Sequence, residues 1–166
     1  MKLFLKMLLV MMFVQVSFAQ STPISQQLGE TVMNRIWVDA PSHDGIPARW
    51  TYEQGVALRG IENLWYATGD RKYFNHIKKG MDHWFDDKGN LKDYDAAEYN
   101  IDHVTPGATM LFLFRVTGDE KYKRAAELIR SQLKSHPRTK EGGFWHKQIY
   151  PNQMWLDGLY MGEPFY

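Results

Sequence analysis

Apolar positions recur at helical spacing through most of the chain, and they do so twice in the same order. Leu58, Ile61, Leu64 and Trp65 form one apolar segment, followed by an amphipathic segment whose buried stripe is Tyr73, Ile77, Met81 and Trp84. Met110, Leu111, Leu113 and Phe114 form a second apolar segment, followed by the stripe Tyr122, Ala126, Ile129 and Leu133. Within each pair the segments are joined by a near-identical hexapeptide. Thr68-Gly69-Asp70-Arg71-Lys72-Tyr73 returns 49 residues later as Thr117-Gly118-Asp119-Glu120-Lys121-Tyr122, with five of six positions unchanged. The glycine stops the first helix and the aspartate caps the next. A looser echo links Gly55, Gly107 and Gly158, at intervals of 52 and 51, near the start of each apolar helix.

A period near 50 residues built from helix, turn and helix describes stacked helical hairpins. Strand signals are weak throughout, so the expected class is all-α. The pattern predicts a helix over Thr22–Trp37, an inner helix over Thr51–Ala67 and an outer helix over Arg71–Phe85. A second inner helix follows over Val104–Val116, then an outer helix over Glu120–Ser135 and the start of a third inner helix from Gln153. The long connections Asp86–Ile101 and Pro137–Asn152 are where such arrays carry function. About three hairpins cannot close a ring, and half a toroid leaves the apolar sides of its terminal hairpins bare. The chain therefore reads as a truncated, N-terminal portion of a larger toroid.

Residues 1–19 are set apart from this pattern. Lys2 and Lys6, an apolar stretch from Met7 to Val14, and Ser17-Phe18-Ala19 form the layout of a secretory signal cleaved after Ala19, too short to span a bilayer. The periplasm or the cell exterior is the expected location, with the domain proper over residues 20–166 and no stable membrane insertion. Removing the signal takes two of the 20 Lys and Arg and leaves 18 against 19 acids, so no electrostatic case for nucleic acid exists. Without cysteine there is no disulfide and no thiolate chemistry. Aromatic residues make up 14%, more than a small core needs.

The candidate chemistry lies in the last 25 residues, where Asp157 sits among Trp145, His146, Tyr150, Trp155 and Tyr160. Flat apolar faces for pyranose rings beside one acid are the requirements of a sugar-cleaving site. Asp102, in Tyr99-Asn100-Ile101-Asp102-His103, precedes the second inner helix, so the hairpin repeat brings both carboxylates to one end of the bundle. Two acids facing a shared cavity can hold different pKa values, the condition for a general acid at neutral pH. Asp102 also suits a helix N-cap, and Asp157 a buried structural aspartate. His103 and His146 fit either assistance to the acids or structural hydrogen bonding. Neither makes a metal site, since no histidine pair has ligand spacing. Trp50, Tyr52, Trp145 and Trp155 fall near inner-helix starts, where they either stack on sugars or rim the core. Arg49 and Lys147 suit an anionic substrate or plain solvation.

Five segments carry a family resemblance: WTYEQGVAL (Trp50 to Leu58), ATGDRKY, YNIDHVTPG (Tyr99 to Gly107), VTGDEKY and GGFWHKQIYPNQMWLDGLYMGEPF from Gly142. In this order and spacing the chain resembles the N-terminal half of an unsaturated rhamnogalacturonyl hydrolase of glycoside hydrolase family 105, a relative of the unsaturated glucuronyl hydrolases. The resemblance implies an (α/α)6 barrel and action on pectin-derived oligosaccharides that a lyase has left with a C4=C5 double bond. It implies that Asp157 is the general acid/base, with a pKa near working pH, that Asp102 is the second cavity aspartate, and that no cofactor takes part. It places Trp50, Tyr52, His103, His146 and Trp155 along the cleft. A glucuronyl hydrolase acting on glycosaminoglycan fragments and an inert sugar-binding remnant are the competing expectations. The oligomeric state is left open.

Overall fold

The computed structural model describes residues 22–36 and 49–166. The signal segment, Trp37 and the 37–48 connection lie outside the described residues. Helix α1 (Ile24–Thr31) runs on into a π-helical turn, Val32–Ile36. Then come α2 (Tyr52–Thr68), α3 (Arg71–Asp82), α4 (Pro106–Thr117), α5 (Glu120–Ser135) and α6 (Leu156–Gly162). Helices α2 and α3 pair as one hairpin and α4 and α5 as a second, with the inner helices α2 and α4 packed together and α1 against α2. Among the described residues there is no β-strand.

The two hexapeptides fold into the same turn, bond for bond. Thr68 Oγ1 donates to Leu64 O at 2.7 Å, and Thr117 Oγ1 donates to Leu113 O at 2.7 Å. Gly69 (φ 67°) and Gly118 (φ 71°) adopt the left-handed conformation that closes each inner helix, where a side chain would be strained. Asp70 Oδ1 then accepts from Lys72 N at 2.9 Å, and Asp119 Oδ1 from Lys121 N at 3.0 Å, capping the outer helices. Local chemistry alone sets these boundaries.

The repeat continues past the helices in a way the residue identities conceal. Phe85 bridges Leu91 in antiparallel fashion, and 53 positions on Arg138 bridges Phe144. In the first tip Asp86 N donates to Asn90 O at 3.0 Å, with Gly89 at φ 77°; in the second Thr139 N donates to Gly143 O at 2.8 Å, with Gly142 at φ 93°. The interval grows from 49 to 53 because α5 has 16 residues where α3 has 12. Four residues are one extra helical turn.

The core lies between the hairpins, built from Leu58, Ile61, Tyr73, Ile77, Met81, Met110, Phe112, Leu113, Tyr122, Ile129 and Leu133. The first helix starts at Ile24 rather than Thr22, α2 is displaced by one residue at each end, and α4 runs one residue past Val116. Three other boundaries have a visible cause or consequence. Helix α3 ends at Asp82 rather than Phe85, although Trp84 is still buried in the following turn. Helix α4 starts at Pro106, where a missing N–H costs nothing, rather than at Val104. Helix α6 starts at Leu156 rather than near Gln153, because the Gln153 carbonyl is engaged by His146 N at 2.7 Å.

Candidate functional site

The two long connections meet at the end of α5 and zip together. Asn100 forms an antiparallel bridge with Lys147, Ile101 N donates to His146 O at 3.0 Å, and Gln148 N donates to Tyr99 O at 3.1 Å. Ile101 is buried and anchors a 3-10 turn, Ile101–His103, that presents Asp102. Asn100 takes the capping role by accepting Asp102 N on Oδ1 at 3.1 Å. The cap expected of Asp102 is thus supplied by its neighbour, and its carboxylate is free for other contacts.

Those contacts are two basic side chains. Lys147 Nζ lies 2.6 Å from Asp102 Oδ2, and His146 Nε2 lies 3.3 Å from Oδ1, with the aspartate side chain 13% exposed. Lys147, weighed from sequence as an anion binder or a solvated charge, is committed to Asp102. The His146 side chain is 1% exposed, and burial holds its pKa below the ordinary value; the nearby charges of Asp102 and Asp157 oppose that shift. His146 is therefore neutral at neutral pH. Its Nδ1 is buried without a partner and faces the backbone of Gly158, where an added Cβ would stand 3.5 Å away.

Trp155 lies flat on His146, with ring centroids 4.1 Å apart and planes within 8°, and Tyr150 stacks on Trp155 at 5.4 Å. Trp155 stays 42% exposed. Asp157 follows in the first turn of α6. Its side chain is exposed, and among the described residues its Oδ1 accepts only from the adjacent Gly158 N, at 3.0 Å. The expected burial of Asp157 within an aromatic cage is corrected: the aromatic stack covers His146, and the late start of α6 leaves Asp157 in solvent. A small cavity of about 10 Å³ lies beside it, lined by Ile101, His146, Trp155, Gly158 and Leu159 among others. A larger one of about 390 Å³, between α2, α4 and α6, contains neither aspartate.

The remaining candidates divide. Trp50 is corrected to a core residue. It is 3% exposed, packs edge-on against Trp84 and Tyr94, and donates its Nε1 proton to His103 O at 2.8 Å. Tyr52 is exposed at the first turn of α2. His103 is mostly buried and adjoins Asp102; its Nδ1 is 3.3 Å from Glu98 Oε2 but not aligned as a hydrogen bond. Burial lowers its pKa against the pull of Glu98 and Asp102. Arg49 is exposed and Trp145 half-buried. Sequence reasoning missed Gln132 and His136 on the buried side of α5. The signal was there: Gln132 stands three positions after Ile129, on an otherwise apolar stripe.

A bundle of repeated helical hairpins, with one carboxylate on a loop, a second at the start of α6 and stacked aromatic rings between them in sequence, has the design of an all-α glycoside hydrolase. The sequence profile of Glycosyl Hydrolase Family 88 matches residues 25–166, and the chain belongs to that family. It is 33% identical over 122 residues to the "Unsaturated rhamnogalacturonyl hydrolase YesR" of Bacillus subtilis (strain 168), a match covering 70% of this chain and 33% of that protein. A solved glycoside hydrolase of family 105 from C. acetobutylicum ATCC 824 superposes with a TM-score of 0.76 at 41% identity, over 87% of this chain and 38% of that one. The all-α, six-hairpin class expected from the sequence is the fold of that structure. The chain spans about a third of the length of these relatives.

Proposed function

We propose that the protein removes the terminal unsaturated galacturonosyl residue from lyase-generated rhamnogalacturonan oligosaccharides. The observation carrying this reading is the solvent-facing carboxyl of Asp157 two residues from the partly exposed, ring-stacked Trp155, backed by the Asp102, His146 and Lys147 cluster. Asp157 gives its proton to C4 of the C4=C5 vinyl ether, and the positive charge developing at C5 is shared with the ring oxygen. Water then adds to C5 and returns a proton to the Asp157 carboxylate. The C5 hemiketal opens to a ketone, and the hemiacetal left at C1 expels the remaining sugar. The sum is one water consumed. The exposure of Asp157 suits this sequence, since water must reach the same carboxylate that gave the proton. One carboxylate acts twice, so the separation rules for retaining and inverting acid pairs do not govern the site. Secretion after cleavage at Ala19 belongs to the same reading, supported by the signal-like layout of residues 1–19.

The test is to incubate the protein with unsaturated rhamnogalacturonan, chondroitin and heparin disaccharides and follow the ultraviolet absorbance of the double bond. Loss with the first substrate alone is expected. Loss only with the glycosaminoglycan disaccharides would move the assignment to a glucuronyl hydrolase, and binding without any loss to a sugar-binding protein without turnover.

A further inference from the structure

The extra turn of α5 ends in a buried polar pair, Gln132 and His136, each at most 3% exposed. Gln132 uses both ends of its amide. Oε1 accepts from Tyr94 Oη at 2.8 Å, while Nε2 donates to Asn100 O at 3.1 Å and faces His136 Nδ1 at 3.2 Å. His136 Nε2 in turn reaches Trp145 O at 2.7 Å. Burial holds the His136 pKa down, so the neutral ring donates from Nε2 and accepts at Nδ1. One carbonyl it helps to fix lies two residues before Asp102, and the other lies immediately before His146. Helix α3 stops one turn short, and at its cap, 53 residues before His136, the matching His83 is exposed.

We propose that Gln132 and His136 are positioning residues: a polar post that sets the register of the two site-bearing loops and thereby places His146 against Asp102. The proposal rests on the hydrolase reading only where turnover is measured. The geometry it explains is the 3.3 Å approach of His146 Nε2 to Asp102 Oδ1. That approach joins two loops whose other cross-links on the site side are backbone hydrogen bonds at Tyr99 and Ile101 and the Lys147–Asp102 ion pair, none of which reaches the helices. Such short zippers permit a register slip unless something outside them fixes both strands. Gln132 and His136 provide that fixed point from the rigid end of a helix.

The test compares Gln132→Met, His136→Leu and His136→Gln with Ile129→Val, a core change on the same helix. The side-chain amide of Gln can restore the donor to Trp145 O. Folding is read by circular dichroism, and the titration of His146 by imidazole NMR with its signal assigned from His146→Gln. In Gln132→Met and His136→Leu the His146 midpoint should shift and kcat fall on the order of tenfold to a hundredfold, with KM changing less. His136→Gln should recover most of both readouts, and Ile129→Val should leave both unchanged. Folded Gln132→Met and His136→Leu proteins with native His146 titration would overturn the proposal. So would His136→Gln behaving like His136→Leu, which decides the matter even if Gln132→Met does not fold. A moved His146 midpoint in a protein with no turnover on any substrate would sustain the positioning role while rejecting the hydrolase assignment.

Discussion

The first hairpin leaves its outer helix at Asp82 and the second leaves its own at Ser135, one turn later relative to a shared turn motif. Up to that point the two are chemical copies: the same threonine back-bond, the same left-handed glycine, the same aspartate cap. Beyond it they have copied backbone again, in the tips at Phe85–Leu91 and Arg138–Phe144, but with different residues. What the second hairpin adds is the turn that carries Gln132 and the burial of its cap histidine, His136, where the matching His83 is exposed, and with them the anchorage of both loops that hold Asp102 and His146. A repeat can thus be reused as scaffold while a four-residue difference turns one copy into the support of a site.

Changes in the site should act first on chemistry, and on stability where they strand a charge. Asp157→Asn is expected to lower turnover of the unsaturated disaccharide by about a thousandfold or more while the melting temperature stays native, because its side chain is exposed and its carboxylate accepts from the neighbouring Gly158 N. Comparable loss of stability would instead mark a structural aspartate. Lys147→Met strands the half-buried Asp102 and should cost about 2 kcal/mol, between the values of exposed and fully buried pairs, as read by urea denaturation. A neutral outcome would mean the pair is merely a surface contact.

The hairpin turns offer the sharper symmetry. Gly69→Ala and Gly118→Ala should each destabilise by about 1 kcal/mol, and by the same amount within error, since both residues sit at nearly the same positive φ. Unequal penalties would show that the two copies are not equivalent. The smallest effect is that of pH. His103, His136 and His146 all have folded pKa values lowered by burial from the ordinary 6.5. The unfolded chain therefore takes up protons first, so stability is full above about pH 6.5 and declines as pH falls through the folded values. His136→Gln should flatten that decline in a denaturation series from pH 7.5 to about 5.

The turns and the limits of α5 were legible in the sequence because capping and left-handed glycine are local chemistry. The loop tips were not, since Asp86 and Thr139 donate the same backbone N–H while carrying unrelated side chains. Trp50 could not be placed from its own neighbourhood, because an aromatic residue at a helix start looks the same in a core or a cleft. Trp84 and Tyr94, distant in sequence, decide it. The two aspartates were found, but their surroundings were exchanged: Asp157 was expected in a cage and is exposed, whereas Asp102 is the enclosed one. The exposure of Asp157 goes with one backbone bond, His146 N to Gln153 O, which delays α6, and the enclosure of Asp102 with Lys147 and His146 closing over its carboxylate.

The most direct measurement is to run the reaction on an unsaturated rhamnogalacturonan disaccharide in deuterium oxide and locate the label in the released uronate by NMR. The account predicts one deuterium on one face of C4 at the earliest time points, lost in Asp157→Asn. A released uronate that still carries its C4=C5 double bond, with no label on C4, would contradict it.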